Sequence, residues 1–118
     1  MKPIWTPAAR RVAKSNLTRF MREVAREYAV EVRDYETLYA WSIRNPEAFW
    51  WSMWRFGGVI GAPGGRILSN AGAMPGATWF PDGTLNFAEN LLRHRGNDTA
   101  IVFSGEERVH GRITFDEL

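Results

Sequence analysis

Residues 16–28 read NLTRFMREVAREY, and within them Leu17, Phe20, Met21, Val24 and Tyr28 fall at i, i+3, i+4, i+7 and i+11. That spacing draws one apolar stripe along a helix and leaves Arg19, Arg22, Glu23, Arg26 and Glu27 on the other faces. The stretch therefore reads as an amphipathic helix with one buried side, opened by Ser15 or Asn16. Its charged face reads as solvated, with Glu23/Glu27 and Arg22/Arg26 at i, i+4 spacing as its expected support. Upstream, Thr6-Pro7 predicts a short helix over residues 7–14, because proline at the first helical position gives up an N–H that has no partner there anyway.

Downstream, Asp34 is placed to cap a helix through Tyr35, Leu38 and Tyr39. Asn45-Pro46-Glu47 opens another, carrying Phe49, Trp50, Met53, Trp54 and Phe56 until Gly57-Gly58 ends it. Trp41, Trp50, Trp51 and Trp54 together are more aromatic surface than one helix can bury against its two predecessors, which leaves two expectations: a tryptophan-rich core within the domain, or a face that docks on another domain or chain. Eight of the eleven glycines, with Pro63, Pro75 and Pro81, lie between Gly57 and Gly83. This predicts an irregular, turn-rich segment laid against a surface, anchored by Trp79-Phe80. The candidate docking residues are Trp50, Trp54, Trp79 and Phe80.

Asn86 with Glu89 three residues on predicts a short helix over residues 87–93, ended by Gly96, with Leu91 and Leu92 buried. Thr99 to Phe103 and Val109 to Thr114 read as a hairpin about a turn at Gly105-Glu106. Thr114-Phe115-Asp116-Glu117 is then a T-x-x-E capping box. A helix needs about three turns and a packed face to persist. A chain that stops at Leu118, inside the first turn it has capped, is accordingly expected to be cut from a longer one. The fold class is α+β: a mainly helical N-terminal region, a long irregular Gly/Pro-rich segment and a C-terminal β-hairpin.

Composition narrows the chemistry. The 118 residues are 45% hydrophobic and 24% charged, ordinary for one small globular domain. With no cysteine there is no thiol nucleophile, disulfide or cysteine zinc site, in keeping with a cytoplasmic setting. The net charge is only +2. Residues 1–33 hold eight basic and three acidic side chains, but the interleaved glutamates argue against a transit peptide or a nucleic-acid arm. No apolar run approaches the ~20 residues of a membrane span. His94 and His110 lack a second ligand at metal-site spacing and read as surface residues. Gly61 to Arg66 is glycine-rich but lacks the Gly-Lys-[Ser/Thr] ending of a phosphate loop, and reads as a turn. Asp82, Glu89, Asp98, Glu106 and Glu107 sit where solvated or capping roles suffice. No catalytic, cofactor-binding or metal-binding residue emerges.

The pieces Trp5-Thr6-Pro7, Tyr39-Ala40-Trp41-Ser42, Pro46-Glu47-Ala48-Phe49-Trp50, Met74-Pro75-Gly76-Ala77-Thr78-Trp79-Phe80 and Leu85-Asn86-Phe87-Ala88-Glu89-Asn90-Leu91-Leu92 occur in that order. Together they resemble the N-terminal region of acetoacetyl-CoA synthetases, acyl-adenylate-forming ligases. Acetyl- and propionyl-CoA synthetases share the W-F and L-N portions but differ around Ala88-Glu89. The resemblance implies residues 1–98 as an acetyl-CoA synthetase-type N-terminal domain. Residues 99–118 would be the start of a larger α/β AMP-binding domain. It also implies ATP, magnesium and coenzyme A as the parent ligase's reactants and cofactors, and the remainder of that ligase chain as partner. The family's phosphate loop, adenosine pocket and mobile lysine all lie beyond Leu118, so the chain is not expected to be active alone. The competing expectations are a free-standing interaction module binding through its tryptophan-rich face and a piece of a related short-chain acyl-CoA synthetase.

Overall fold

The structure is a computed structural model that describes residues 4–106 and 109–118; Met1 to Pro3, with Lys2, and Glu107 and Arg108 fall outside the described residues. It divides into two units: residues 1–58 with 70–77, and residues 59–69 with 78–118.

The first unit carries α1 (Ala9–Ala13), α2 (Asn16–Tyr28), α3 (Tyr35–Arg44) and α4 (Pro46–Phe56). The expected span of α1, residues 7–14, shortens at its start because Ala8 is extended (φ −61°, ψ 144°), which leaves Thr6 and Pro7 outside the helix. Ser15 is the N-cap of α2: its Oγ accepts the Thr18 N–H at 3.1 Å, and the Thr18 hydroxyl donates to the Val12 carbonyl at 2.7 Å. One serine–threonine pair thus closes α1 and opens α2. Ala29 ends α2 in the left-handed region at φ 51°. Asp34 caps α3 as expected: its Oδ1 accepts the Thr37 N–H at 2.9 Å, while the Thr37 hydroxyl oxygen accepts the Asp34 N–H at 3.1 Å. That network holds the Asp34 carboxyl below its ordinary pKa, chiefly through the Thr37 N–H. Asn45 serves the other side of the α3–α4 joint: its amide donates to the Trp41 carbonyl at 3.0 Å, so it closes α3 rather than capping α4.

The core of this unit is Phe20, Val24, Leu38 and Trp41, with Met21, Tyr28, Phe49 and Phe56 packed on it. Phe20 meets Phe56 edge-on at 5.1 Å and Phe49 at 6.0 Å. Three readings need correction. Leu17 begins the predicted stripe yet is 45% exposed, because the core forms around the next two turns of α2. On α4 the buried side chain is Ser52, whose hydroxyl donates to the Ala48 carbonyl at 2.8 Å and stands 3.2 Å from the Tyr28 hydroxyl. A small side chain with both polar needs met fits where Tyr28 reaches α4. The i, i+4 pairs proposed as support for α2 are like-charged and give none. Glu27 instead pairs with Arg55 of α4, and Arg19 lies 4.6 Å over the Phe56 ring.

The second unit replaces the expected irregular segment, in part, with two minimal antiparallel ladders. Strand β1 (Gly61–Ala62) pairs with β4 (Thr84–Leu85), and β2 (Leu68–Ser69) with β3 (Thr78–Trp79). Gly61, read above as part of a turn, is in a strand, and a Cβ there would meet the Thr84 carbonyl at 2.6 Å. Helix α5 (Phe87–Leu91) starts at Asn86, whose Oδ1 accepts the Glu89 N–H at 3.2 Å, but stops short of the expected Arg93. Leu91, expected to be buried, is 62% exposed and Leu92 half-buried, since five residues present no sustained face to pack. The hairpin of β5 (Thr99–Ser104) and β6 (His110–Thr114) forms as predicted, with a register shift between Thr99 and Ile101. The T-x-x-E box is present: Glu117 Oε2 accepts the Thr114 N–H at 2.7 Å, and the Glu117 N–H donates to the Thr114 hydroxyl at 3.3 Å. The architecture is mixed helix and small antiparallel sheets, as the α+β reading expects. Among the described residues, no helix is long and apolar enough to cross a membrane.

Candidate docking surfaces

Trp50 and Trp54 stand one turn apart on α4, Trp50 40% exposed and edge-on to Phe49 at 5.4 Å, Trp54 half-buried. Trp79 lies in β3, 46% exposed. Phe80 follows it half-buried, its N–H donating to the Ile67 carbonyl at 2.8 Å and its carbonyl accepting from Gly83 at 2.8 Å. The first pair belongs to the helical unit and the second to the other.

Polar ties that the sequence reading missed position the second unit. Arg66 and Asp82 form a two-pronged ion pair, Nε to Oδ2 at 2.9 Å and a terminal nitrogen to Oδ1 at 2.7 Å. Asp82 is therefore more than a solvated turn carboxylate. The Arg66 hydrogen bonds hold its carboxyl below the ordinary value, and Asp82 raises the Arg66 guanidinium in return. The Asn90 side chain grips the main chain of Ile60, accepting its N–H at 2.8 Å and donating to its carbonyl at 2.8 Å. Asn86 caps α5 and Asn90 ties it to the segment before β1, which gives the LNFAEN block a physical reason for both asparagines. Asp116 Oδ1 accepts the Gly96 N–H at 2.7 Å, fastening the end of β6 to the turn before β5.

These groups act as ties within the second unit. His94 and His110 are exposed, as read from the sequence; His94 packs at 5.6 Å from the Phe115 ring and His110 Nδ1 stands 3.0 Å from the Ser104 hydroxyl. Among the described residues, no three His, Cys, Asp or Glu side chains are grouped to hold a metal ion. The Gly61 to Arg66 stretch is engaged by β4 and Asp82, so it is not shaped as a phosphate cradle.

Apolar exposure is the larger feature. On the helical unit, Leu17, Tyr35, Tyr39 and Met53 border a groove of about 240 Å³ whose floor includes Phe20 and Leu38. In the second unit, Ile101, Phe103 and Ile113 share one face of the hairpin by register and are 45%, 56% and 37% exposed. The chain exposes 9655 Å², whereas two compact bodies of half its mass would together expose about 7,900 Å².

Residues 35–91 match the family described as the acetyl-coenzyme A synthetase N-terminus. The proteins that this chain resembles along nearly its whole length are acetoacetyl-CoA synthetases, in their N-terminal region. That of Rhizobium meliloti (strain 1021) is 37% identical over 117 residues, 99% of this chain and 18% of the relative. That of Rattus norvegicus is 30% identical over 120 residues, 98% of this chain and 17% of the relative. The solved acetoacetyl-CoA synthetase from Streptomyces lividans superposes with a TM-score of 0.85 at 31% identity, over 98% of this chain and 18% of that one. The chain therefore spans less than a fifth of the length of these relatives.

Proposed function

We propose that this chain is the N-terminal region of an ATP-dependent acetoacetate–CoA ligase. In the first half-reaction the acetoacetate carboxylate displaces pyrophosphate from ATP to give acetoacetyl-adenylate. In the second, the coenzyme A thiol displaces AMP to give acetoacetyl-CoA. ATP, magnesium and coenzyme A are held by parts of the ligase that follow Leu118. Residues 1–98 form its N-terminal domain and residues 99–118 begin its adenylate-forming domain, a larger α/β body that completes the fold. Trp50, Trp54, Trp79 and Phe80 contribute to the contact with it, and the ligase works in the cytoplasm.

The observation that carries this reading is the likeness over 98% of the chain to a solved acetoacetyl-CoA synthetase of which it covers only 18%. The apolar hairpin face supports it: a two-stranded ribbon is marginal alone and gains stability when further strands or helices cover one face. The test is acetoacetate-dependent ATP–pyrophosphate exchange by the native gene product. A product several-fold heavier than 13.5 kDa that catalyses the exchange, with residues 1–118 alone inactive, is the expected result. A native product of 13.5 kDa would overturn it.

A further inference from the structure

We propose that the groove between α2, α3 and α4 is the seat of the large adenylate-forming part of the same ligase chain. The proposal rests on the ligase reading above and adds the face that is covered, which the sequence did not single out.

The groove is lined by no charged side chain: Leu17 and Phe20 come from α2, Tyr35 and Tyr39 from α3, and Phe49 and Met53 from α4. Its floor is firm, since Phe20 and Leu38 are each 5% exposed in the core, and its walls are helices whose starts are capped by Ser15 and Asp34. Its rim is open. Leu17 is 45%, Tyr35 58%, Tyr39 52% and Met53 36% exposed, and Ile43, one turn beyond Tyr39 on α3, is 61% exposed. Tyr35 and Tyr39 stack on each other at 6.3 Å and 18°, so the rim is already ordered before anything covers it. Side chains of these types at these exposures offer on the order of 600 Å² of mostly apolar surface.

That area points to a tethered occupant. It falls below the ~800 Å² per partner of a stable contact between free proteins, but it is enough for domains joined in one chain, which meet across roughly 600–1,500 Å² in total. Covalent connection raises the partner's effective concentration to the millimolar range, so a modest apolar seat suffices. The relatives supply such a partner: more than four fifths of their length lies outside the region this chain matches. The covering face should be apolar, with one or two polar groups at its edge to serve the Tyr35 and Tyr39 hydroxyls.

The test is hydroxyl-radical footprinting of the full native ligase, comparing labelling rates at Tyr35, Tyr39 and Met53 with those of the same protein unfolded in denaturant. Their exposures alone allow about twofold protection at the tyrosines and about threefold at Met53; a covered groove is expected to give tenfold or more, independent of protein concentration. In the Tyr39→Glu variant of the full ligase, labelling of Tyr35 and Met53 is expected to rise toward those lower levels of protection. Protection of only about two- to threefold in an active ligase would overturn the seat while leaving the ligase reading intact. Protection that vanishes on dilution would assign the groove to a second copy and also overturn it. A protected groove in a long chain without acetoacetate-dependent exchange would do the reverse, keeping the seat and removing the ligase reading.

Discussion

The helical unit buries Phe20, Val24, Leu38, Trp41 and Ser52, whereas the second unit, among its described residues, buries no side chain fully. The difference follows from geometry. Helices of ten or more residues bring two or three apolar side chains each to a shared centre, and three such contributions, from α2, α3 and α4, make a core. Two-residue ladders, a five-residue helix and a lone hairpin cannot enclose anything. They are held by polar ties instead: Arg66 with Asp82, Asn90 with Ile60, Asp116 with Gly96. One region carries its own hydrophobic core and the other leaves the apolar face of its hairpin exposed.

The sharpest way to break this contrast is to truncate one phenylalanine on each side. Phe20→Ala is expected to cost about 3–5 kcal/mol of helical-unit stability, read by urea unfolding of the helical circular dichroism. Phe103→Ala in the 118-residue chain should change stability by no more than about 0.5 kcal/mol, because the ring is already in water. A large cost at Phe103 in this chain would mean that the hairpin has a core of its own. In the full ligase, the same Phe103 substitution is expected to cost several times more if its face is covered there.

The next test concerns the ties. In Asn90→Ala, the Ile60 N–H and carbonyl lose both partners on the side chain, and the Ile60 amide should exchange with solvent about tenfold faster or more, since ~1.4 kcal/mol corresponds to a factor of ten. Unchanged exchange would show that the β1–β4 ladder, not Asn90, holds that segment. The smallest expected effect is the pH response of Arg66–Asp82. The Asp82 carboxyl is held below its ordinary value, so the tie contributes fully above the ordinary aspartate pKa and is lost as pH falls through the lowered one. Both groups are exposed and solvent screens them, so acid should loosen this turn without unfolding the helices. Asp82→Asn is expected to remove that acid step from amide shifts around Phe80 and Gly83. A step that persists would have to come from another carboxylate.

Local chemistry was the legible part. Asp34 with Thr37, Ser15, Asn86 and the Thr114–Glu117 box all act within three residues, so side-chain type and spacing are enough to place them. The hairpin was legible for the same reason, its first strand being apolar and the returning strand close in sequence across a glycine turn. The reading failed wherever depth mattered. Leu17, Phe20 and Val24 occupy one stripe, yet only the latter two are covered. Four tryptophans looked alike in the sequence, and Trp41 alone entered the core, while a serine took the buried place on α4.

The order of elements, most of their caps and the kinship with acetoacetyl-CoA synthetases were determined by the sequence itself, because each depends on residue types at short, countable separations. Which apolar residues are buried, which ions pair and where a groove opens were decided only by the tertiary structure. Those properties depend on which segments distant in the chain come together, as Tyr28 meets Ser52 and Asn90 meets Ile60, and a hydrophobic period names a face without saying what lies against it.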